Sequence, residues 1–200
     1  RGGSTMELKE QVYSLLLVSA ADKFNRSISD LLPENIYYPI KTVSDMGSAK
    51  RELLDRSYDI VIINTPLPDD FGIRLAIDIC QSSSTGVLLF VKAEHYPDIN
   101  AKVMPYGVLT LSKPTSAQMI LQTLVLLCGT RERLKFMEKK AATLEDKMEE
   151  IRIVNRAKWL LISELKMSEN DAHRYIEKQA MDRCITRRAM AESIIRTYKQ

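Results

Sequence analysis

Cysteine is scarce, with 3 in 200 residues, at Cys80, Cys128 and Cys184. They lie far apart and lack the paired spacing of a zinc site or a disulfide framework, which suits a reducing cytoplasm, the expected location. His95 and His173 are the only histidines, and neither has an obvious partner. No glycine-rich phosphate loop and no Ser/His/Asp arrangement is present, so neither an enzyme nor a metal or other cofactor is expected. No apolar run reaches the ~20 residues of a membrane span. The nearest, Tyr13–Ala21, is too short, and no membrane partner is expected. With 7 glycines and 7 prolines the chain is neither collagen-like nor low in complexity. Formal net charge is +3, too small a total to point to any partner. Arg1–Thr5, ahead of Met6, reads as a remnant of expression outside the fold.

What is present falls into three segments of different periodicity. Over residues 6–128, short β-branched and aliphatic runs alternate with helical stretches. Val12–Val18, Ile36–Val43, Ile60–Ile63, Val87–Val91 and Val108–Leu111 read as strands. Their continuous apolar character suits a parallel sheet covered on both faces. Asp22–Leu32, Ser48–Arg56, Phe71–Cys80 and Thr115–Leu127 read as helices. This is the pattern of a doubly wound α/β domain.

Residues 129–152 carry no strand signal. Leu127, Leu134, Ala141 and Met148 fall at one heptad position, and Thr130, Met137, Leu144 and Ile151 at the other. Mixed charges fill the rest, as in a dimeric coiled coil; a lone amphipathic connecting helix is the alternative. The seam of a homodimer would then be Leu134, Met137, Ala141, Leu144, Met148 and Ile151.

Residues 153–200 are helical throughout. Ser168 and Thr186 are natural N-caps, which places helices at Asn155–Leu165, Glu169–Asp182 and Arg187–Tyr198, an all-α bundle of three. Helical spacing groups Val154, Ala157, Leu160, Leu161 and Leu165 on one face of the first helix. Ala172, Tyr175, Ile176 and Gln179 do the same on the second, and Ala191, Ile194, Ile195 and Tyr198 on the third. Charge separates along the chain. Lys and Arg number 11 against 14 Asp and Glu over Met6–Cys128, but 11 against 7 over Glu150–Gln200. The helical tail is the basic part, as a nucleic-acid-binding module would be.

Tyr58–Gly72, reading YDIVIINTPLPDDFG, resembles the third strand and following loop of response-regulator receiver domains. Ser112-Lys113-Pro114 resembles their Lys-Pro element. The resemblance implies a flavodoxin-like receiver fold over about the first 120 residues. It also implies a working set of acids that this chain lacks. Where a receiver carries its carboxylate nucleophile stands Asn64, and a neutral amide is far too weak a nucleophile for phosphoryl transfer. The magnesium-binding acids after the first strand correspond to Ser19 and Ala20, with Ala21 next and Asp22 displaced. The hydroxyl position is Val91 and the aromatic switch position Thr110. Only Lys113 remains. The expectation is a pseudo-receiver in which Asn64 and Lys113 either share a fixed hydrogen bond mimicking one signalling state or are relics, with Lys113 solvated or paired with Asp69 or Asp70.

The run Ala157-Lys158-Trp159-Leu160-Leu161, then Ser168-Glu169-Asn170-Asp171-Ala172-His173-Arg174-Tyr175-Ile176, then Gln179-Ala180-Met181-Asp182-Arg183 resembles the ANTAR domain of RNA-binding transcription antitermination regulators. The resemblance implies that the tail binds stem-loops of a leader transcript and prevents terminator formation, with paired hairpins as the target of a dimer. Lys158, Lys178, Arg183, Arg187 and Arg188 are the candidate phosphate contacts. Arg187 and Arg188 also sit where the free N–H groups of a helix start favour phosphate. Trp159 points away from the bundle face, either into a dimer or interdomain contact or onto an RNA base. A regulatory protein is a further possible partner. The rival readings are a DNA-binding response regulator and an adaptor that binds no nucleic acid. The glycine-free turn Lys166-Met167-Ser168 counts against the former.

Overall fold

The computed structural model describes residues 11–198; Arg1–Thr5 and the expected domain start at Met6 lie outside them. The described residues form two compact units, one up to Lys135 and one from Phe136 on.

The first unit is a five-stranded parallel sheet of order β2-β1-β3-β4-β5, with β1 Tyr13–Val18, β2 Tyr37–Val43, β3 Ile60–Asn64, β4 Gly86–Lys92 and β5 Leu109–Lys113. Side chains alternate between the two faces with period two. Leu16, Val18, Val61, Ile63, Leu89 and Val91 pack under α2 Met46–Asp55, α3 Ile73–Ser82 and α4 Tyr96–Val103. Leu15, Leu17, Ile60, Ile62, Leu88 and Phe90 pack under α1 Asp22–Leu31 and the start of α5, Ala117–Leu165. Both faces are therefore apolar, and β3 is buried at every residue.

Three details depart from the expectations. Helix α4 stands between β4 and β5, a segment for which the sequence pattern names no helix. Pro97 occupies the first turn of α4, where its missing N–H costs nothing, and only Ile99 and Val103 of α4 are buried. The third helix starts at Ile73 instead of Phe71, since Gly72 precedes it at φ 89, a left-handed conformation that favours glycine. Finally, the helix expected to stop at Leu127 continues to Leu165 as a single helix of 49 residues, merging with the helix expected at Asn155–Leu165.

Leu127 is also not part of a heptad seam. It is 2% exposed and packs in the sheet core against Gly86, where an added Cβ would lie 2.6 Å from Leu127 Cγ. The seam residues Leu134, Met137, Ala141, Leu144, Met148 and Ile151 are all exposed in the single chain.

The second unit takes in the latter part of α5, with α6 Glu169–Asp182 and α7 Arg187–Thr197. Ser168 Oγ accepts from Asp171 N, and Thr186 Oγ1 from Ala189 N, so both expected N-caps form. Ala157, Leu161, Ala172, Ile176, Ala180, Met190, Ala191 and Ile194 make the core. The alanines let the helices approach closely. Leu165, expected in that core, is exposed at the end of α5, and Met190 takes part instead.

Candidate functional sites

The carboxyl end of the sheet is where ligands and chemistry collect in open α/β folds, at the switch between strands β1 and β3. Asn64 ends β3 there and is 6% exposed. Lys113 Nζ, at the end of β5, donates to Asn64 Oδ1 at 2.8 Å and to the Thr65 carbonyl at 2.6 Å. Asn64 Nδ2 donates onward to Ser19 Oγ at 3.1 Å. Ser19 Oγ also accepts from Ala21 N at 3.3 Å, and the Ser19 carbonyl from Asn25 Nδ2 at 3.0 Å. These groups form one connected set in which Lys113 meets neither Asp69 nor Asp70. Asp69 accepts from Met46 N and Gly47 N at the start of α2, and Asp70 from Gly72 N. Burial, and then the charge of Lys92, press the Lys113 ammonium below its ordinary pKa.

Magnesium demands hard, anionic oxygen ligands. The side-chain donors here are a neutral hydroxyl and a neutral amide, with an ammonium already hydrogen-bonded to the amide oxygen. This set does not fit a divalent cation, and among the described residues no three of His, Cys, Asp and Glu cluster in metal-binding reach. Val91 is buried at the end of β4, and Thr110 lies on β5 with its buried hydroxyl unpartnered.

Sequence reasoning passed over one polar pair. Arg131, 8% exposed, forms an ion pair with Asp59, and its other arm reaches Glu132 at 3.2 Å. Asp59 also accepts from Ser14 N at 2.8 Å. The pair ties α5 to the opposite end of the sheet from Asn64. No local pattern reveals it, because the partners are far apart in sequence.

In the second unit the five candidate cations divide. Arg188 pairs with Asp146 at 2.8 Å and Glu192 at 3.2 Å. Arg187 reaches Glu150 at 3.6 Å and Glu177 at 3.7 Å, and Lys158 reaches Glu169 at 3.5 Å. Lys178 and Arg183 are exposed and take part in none of the ion pairs found among the described residues. Of these acids only Glu192 was visible from helical spacing; the others arrive from other helices. Trp159 is 71% exposed. The turn at Lys166-Met167-Ser168 places Lys166 at φ 54, the conformation glycine would supply. The absence of glycine there therefore does not argue against a tight turn, and that discriminator against DNA binding falls away.

Residues 142–195 match the family model of the ANTAR domain. Over 198 residues the chain is 27% identical to "Transcriptional regulatory protein PdtaR" of Mycobacterium tuberculosis, covering 98% of this chain and 96% of that one. The signal receiver domain of an HD domain-containing protein from Pseudomonas fluorescens matches with a TM-score of 0.55 at 25% identity, over 62% of this chain and 92% of that chain. The receiver domain of a sensor histidine kinase from Pseudomonas aeruginosa, solved with a magnesium ion coordinated in its active site cleft, matches at TM-score 0.50 and 18% identity, over 60% and 99% respectively. This chain thus joins a receiver fold to an ANTAR domain. No helix among the described residues is long and apolar enough to cross a membrane.

Proposed function

From a receiver fold joined to an ANTAR domain, we propose that this chain is a cytoplasmic, RNA-binding transcription antiterminator with a pseudo-receiver, and not an enzyme. The observation that carries the reading is the ANTAR match over 142–195, which falls on a compact and basic helical unit. The protein binds stem-loops of a leader transcript and favours the fold that excludes the terminator, a population shift set by its preference between the two RNA folds. Exposed Lys178 and Arg183 hold phosphates. Lys158, Arg187 and Arg188 present theirs from ion-paired positions, and a guanidinium so held still has further N–H donors.

The pseudo-receiver part rests on the amide at position 64 and on the neutral donors around it. The exposed apolar seam from Leu134 to Ile151 supports pairing of two copies through α5. A pair of copies grips neighbouring hairpins with the second contact made intramolecular. The test compares retention of leader RNA hairpins with that of the matching duplex DNA across a salt series. RNA-selective binding that weakens with salt is expected. Preference for duplex DNA would favour a DNA-binding regulator, and no binding of either an adaptor.

A further inference from the structure

Trp159 is the chain's single tryptophan, and the bundle leaves it 71% exposed. It borders a groove of about 470 Å3 between the end of α5 and the start of α6. That size lies within the range of small-molecule sites. Ile162 and Met167 add apolar wall, while Asn155, Lys158 and Glu169 add polar groups at the rim. Among the hydrogen bonds of the described residues the Asn155 amide takes none, so its donors and acceptor remain available. Lys158 leans over the groove toward Glu169 at 3.5 Å.

Two occupants are physically reasonable: a second copy of the chain, or an unpaired nucleobase. The heptad pattern decides against the first. Continued past Ile151, the next two seam positions are Asn155 and Lys158, and the pattern turns apolar again only at Ile162, which is partly buried against its own bundle, and at Leu165. Neither Asn155 nor Lys158 supplies an apolar knob, and Lys158 is turned back onto its own unit with its side chain only 17% exposed. The run of exposed apolar seam positions is therefore broken at Asn155 and Lys158, the turn of α5 that flanks Trp159. Charge favours the second occupant. Arg156 and Arg152, three and seven residues before Trp159, lie on the same flank of α5 and are exposed, Arg152 at 72% of its side chain while it reaches Glu149 at 3.6 Å. An aromatic face beside two guanidiniums is what single-stranded nucleic acid uses for stacking and phosphate contact.

We infer that the Trp159 groove is a base-binding pocket: one unpaired base of the hairpin loop stacks on the indole, its edge meets the Asn155 amide and the Glu169 carboxylate, and its flanking phosphates meet Arg152 and Arg156. Glu169 accepts from an amino or ring N–H of the base, which gives the pocket a means of choosing among bases. This inference rests on the RNA-binding reading above.

The experiment uses the full chain and hairpins selected on it from a pool of fixed stem and randomised loop. With a selected hairpin, tryptophan emission is quenched saturably, with the same midpoint as gel retention. The blunt duplex of the same stem leaves it unchanged. Trp159→Ala weakens hairpin binding roughly 5- to 100-fold, the loss expected for one stacked base, and Trp159→Phe weakens it far less. Because the side chain is exposed, both variants should keep the wild-type helical circular dichroism and melting. A hairpin that binds with unaltered emission and equal affinity for Trp159→Ala overturns the pocket and leaves RNA binding standing. Emission that instead follows protein concentration without RNA, together with loss of dimer mass in Trp159→Ala, overturns it in favour of a contact between copies. A pool from which no hairpin is retained overturns both readings.

Discussion

The ammonium of Lys113 donates to the amide oxygen of Asn64 at 2.8 Å across 49 residues of chain, and the same amide donates to Ser19 Oγ at 3.1 Å. The ends of β1, β3 and β5 are thereby joined by neutral acceptors around one cation. Lys113→Met removes the donor to Asn64 Oδ1 and to the Thr65 carbonyl in residues that are nearly inaccessible to water. A cost of about 1–3 kcal/mol in urea unfolding is expected. In the same site, acetyl phosphate with magnesium should leave no hydroxylamine-labile phosphate on the wild type. Asn64→Asp should also stay unlabelled, since Ser19 and Ala20 still supply no metal-binding carboxylate. Stoichiometric labelling of the wild type would refute the pseudo-receiver.

Gly86 and Leu127 form the second pairing to test. A Cβ on Gly86 would meet Leu127 Cγ at 2.6 Å and Ile60 Cδ1 at 3.2 Å. Gly86→Ala should therefore destabilise the first unit by about 1–3 kcal/mol. Adding Leu127→Ala should make the combined loss smaller than the sum of the single losses. Strict additivity in denaturant unfolding would show that the two side chains do not compete for the same space.

Arg131 and Asp59 form a pair buried on the arginine side. Arg131→Met leaves the carboxylate with only Ser14 as partner and should cost about 3 kcal/mol. The double change Arg131→Met with Asp59→Asn should recover part of that loss, because no unpaired charge remains. A double variant as unstable as the two single losses added together would contradict this.

The acid limb of stability should depend on the start of α2. Asp45 accepts from Ser48 N, and Asp69 from Met46 N and Gly47 N, at 2.7 to 3.0 Å. These backbone hydrogen bonds hold both carboxyls below their ordinary value of 3.8. A carboxyl depressed in the folded state binds fewer protons there than in the unfolded chain. Its contribution is therefore complete above the unfolded pKa and lost as pH falls through the folded one. Thermal melting of Asp45→Ala/Asp69→Ala should fall less steeply below pH 4 than that of the wild type. Parallel curves would show that other groups govern acid unfolding.

Pairing through α5 should fail when its seam is charged. Leu144→Asp with Met148→Asp places two carboxylates on adjacent seam positions that are 53% and 56% exposed in the single chain. Sedimentation should show the wild type as a dimer and the variant as a monomer with unchanged helix content. A wild type that is monomeric at every concentration would remove pairing through α5 from the reading.

Strand identity was legible because β3 and β4 are continuous apolar runs, and a sheet buried on both faces leaves no other pattern. The caps Ser168 and Thr186 were legible because a hydroxyl before a helix acts on N–H groups two or three residues away. Helix α4 was not legible: it buries only Ile99 and Val103, and Pro97 looks like punctuation until its place in the first turn is known.

The residues that bear on chemistry were likewise readable one at a time: an amide at 64, a lysine at 113, a basic excess after Glu150. Each is a property of a side chain or of its near neighbours, and that much the amino-acid order determined alone. What Lys113 donates to, which acids hold Arg187 and Arg188, why Gly86 must lack a side chain and why Leu127 left the heptad for the sheet were decided only when distant segments met. Those outcomes depend on packing between elements separated by tens of residues, where a few tenths of an ångström settle which contact forms, and no local pattern carries that information.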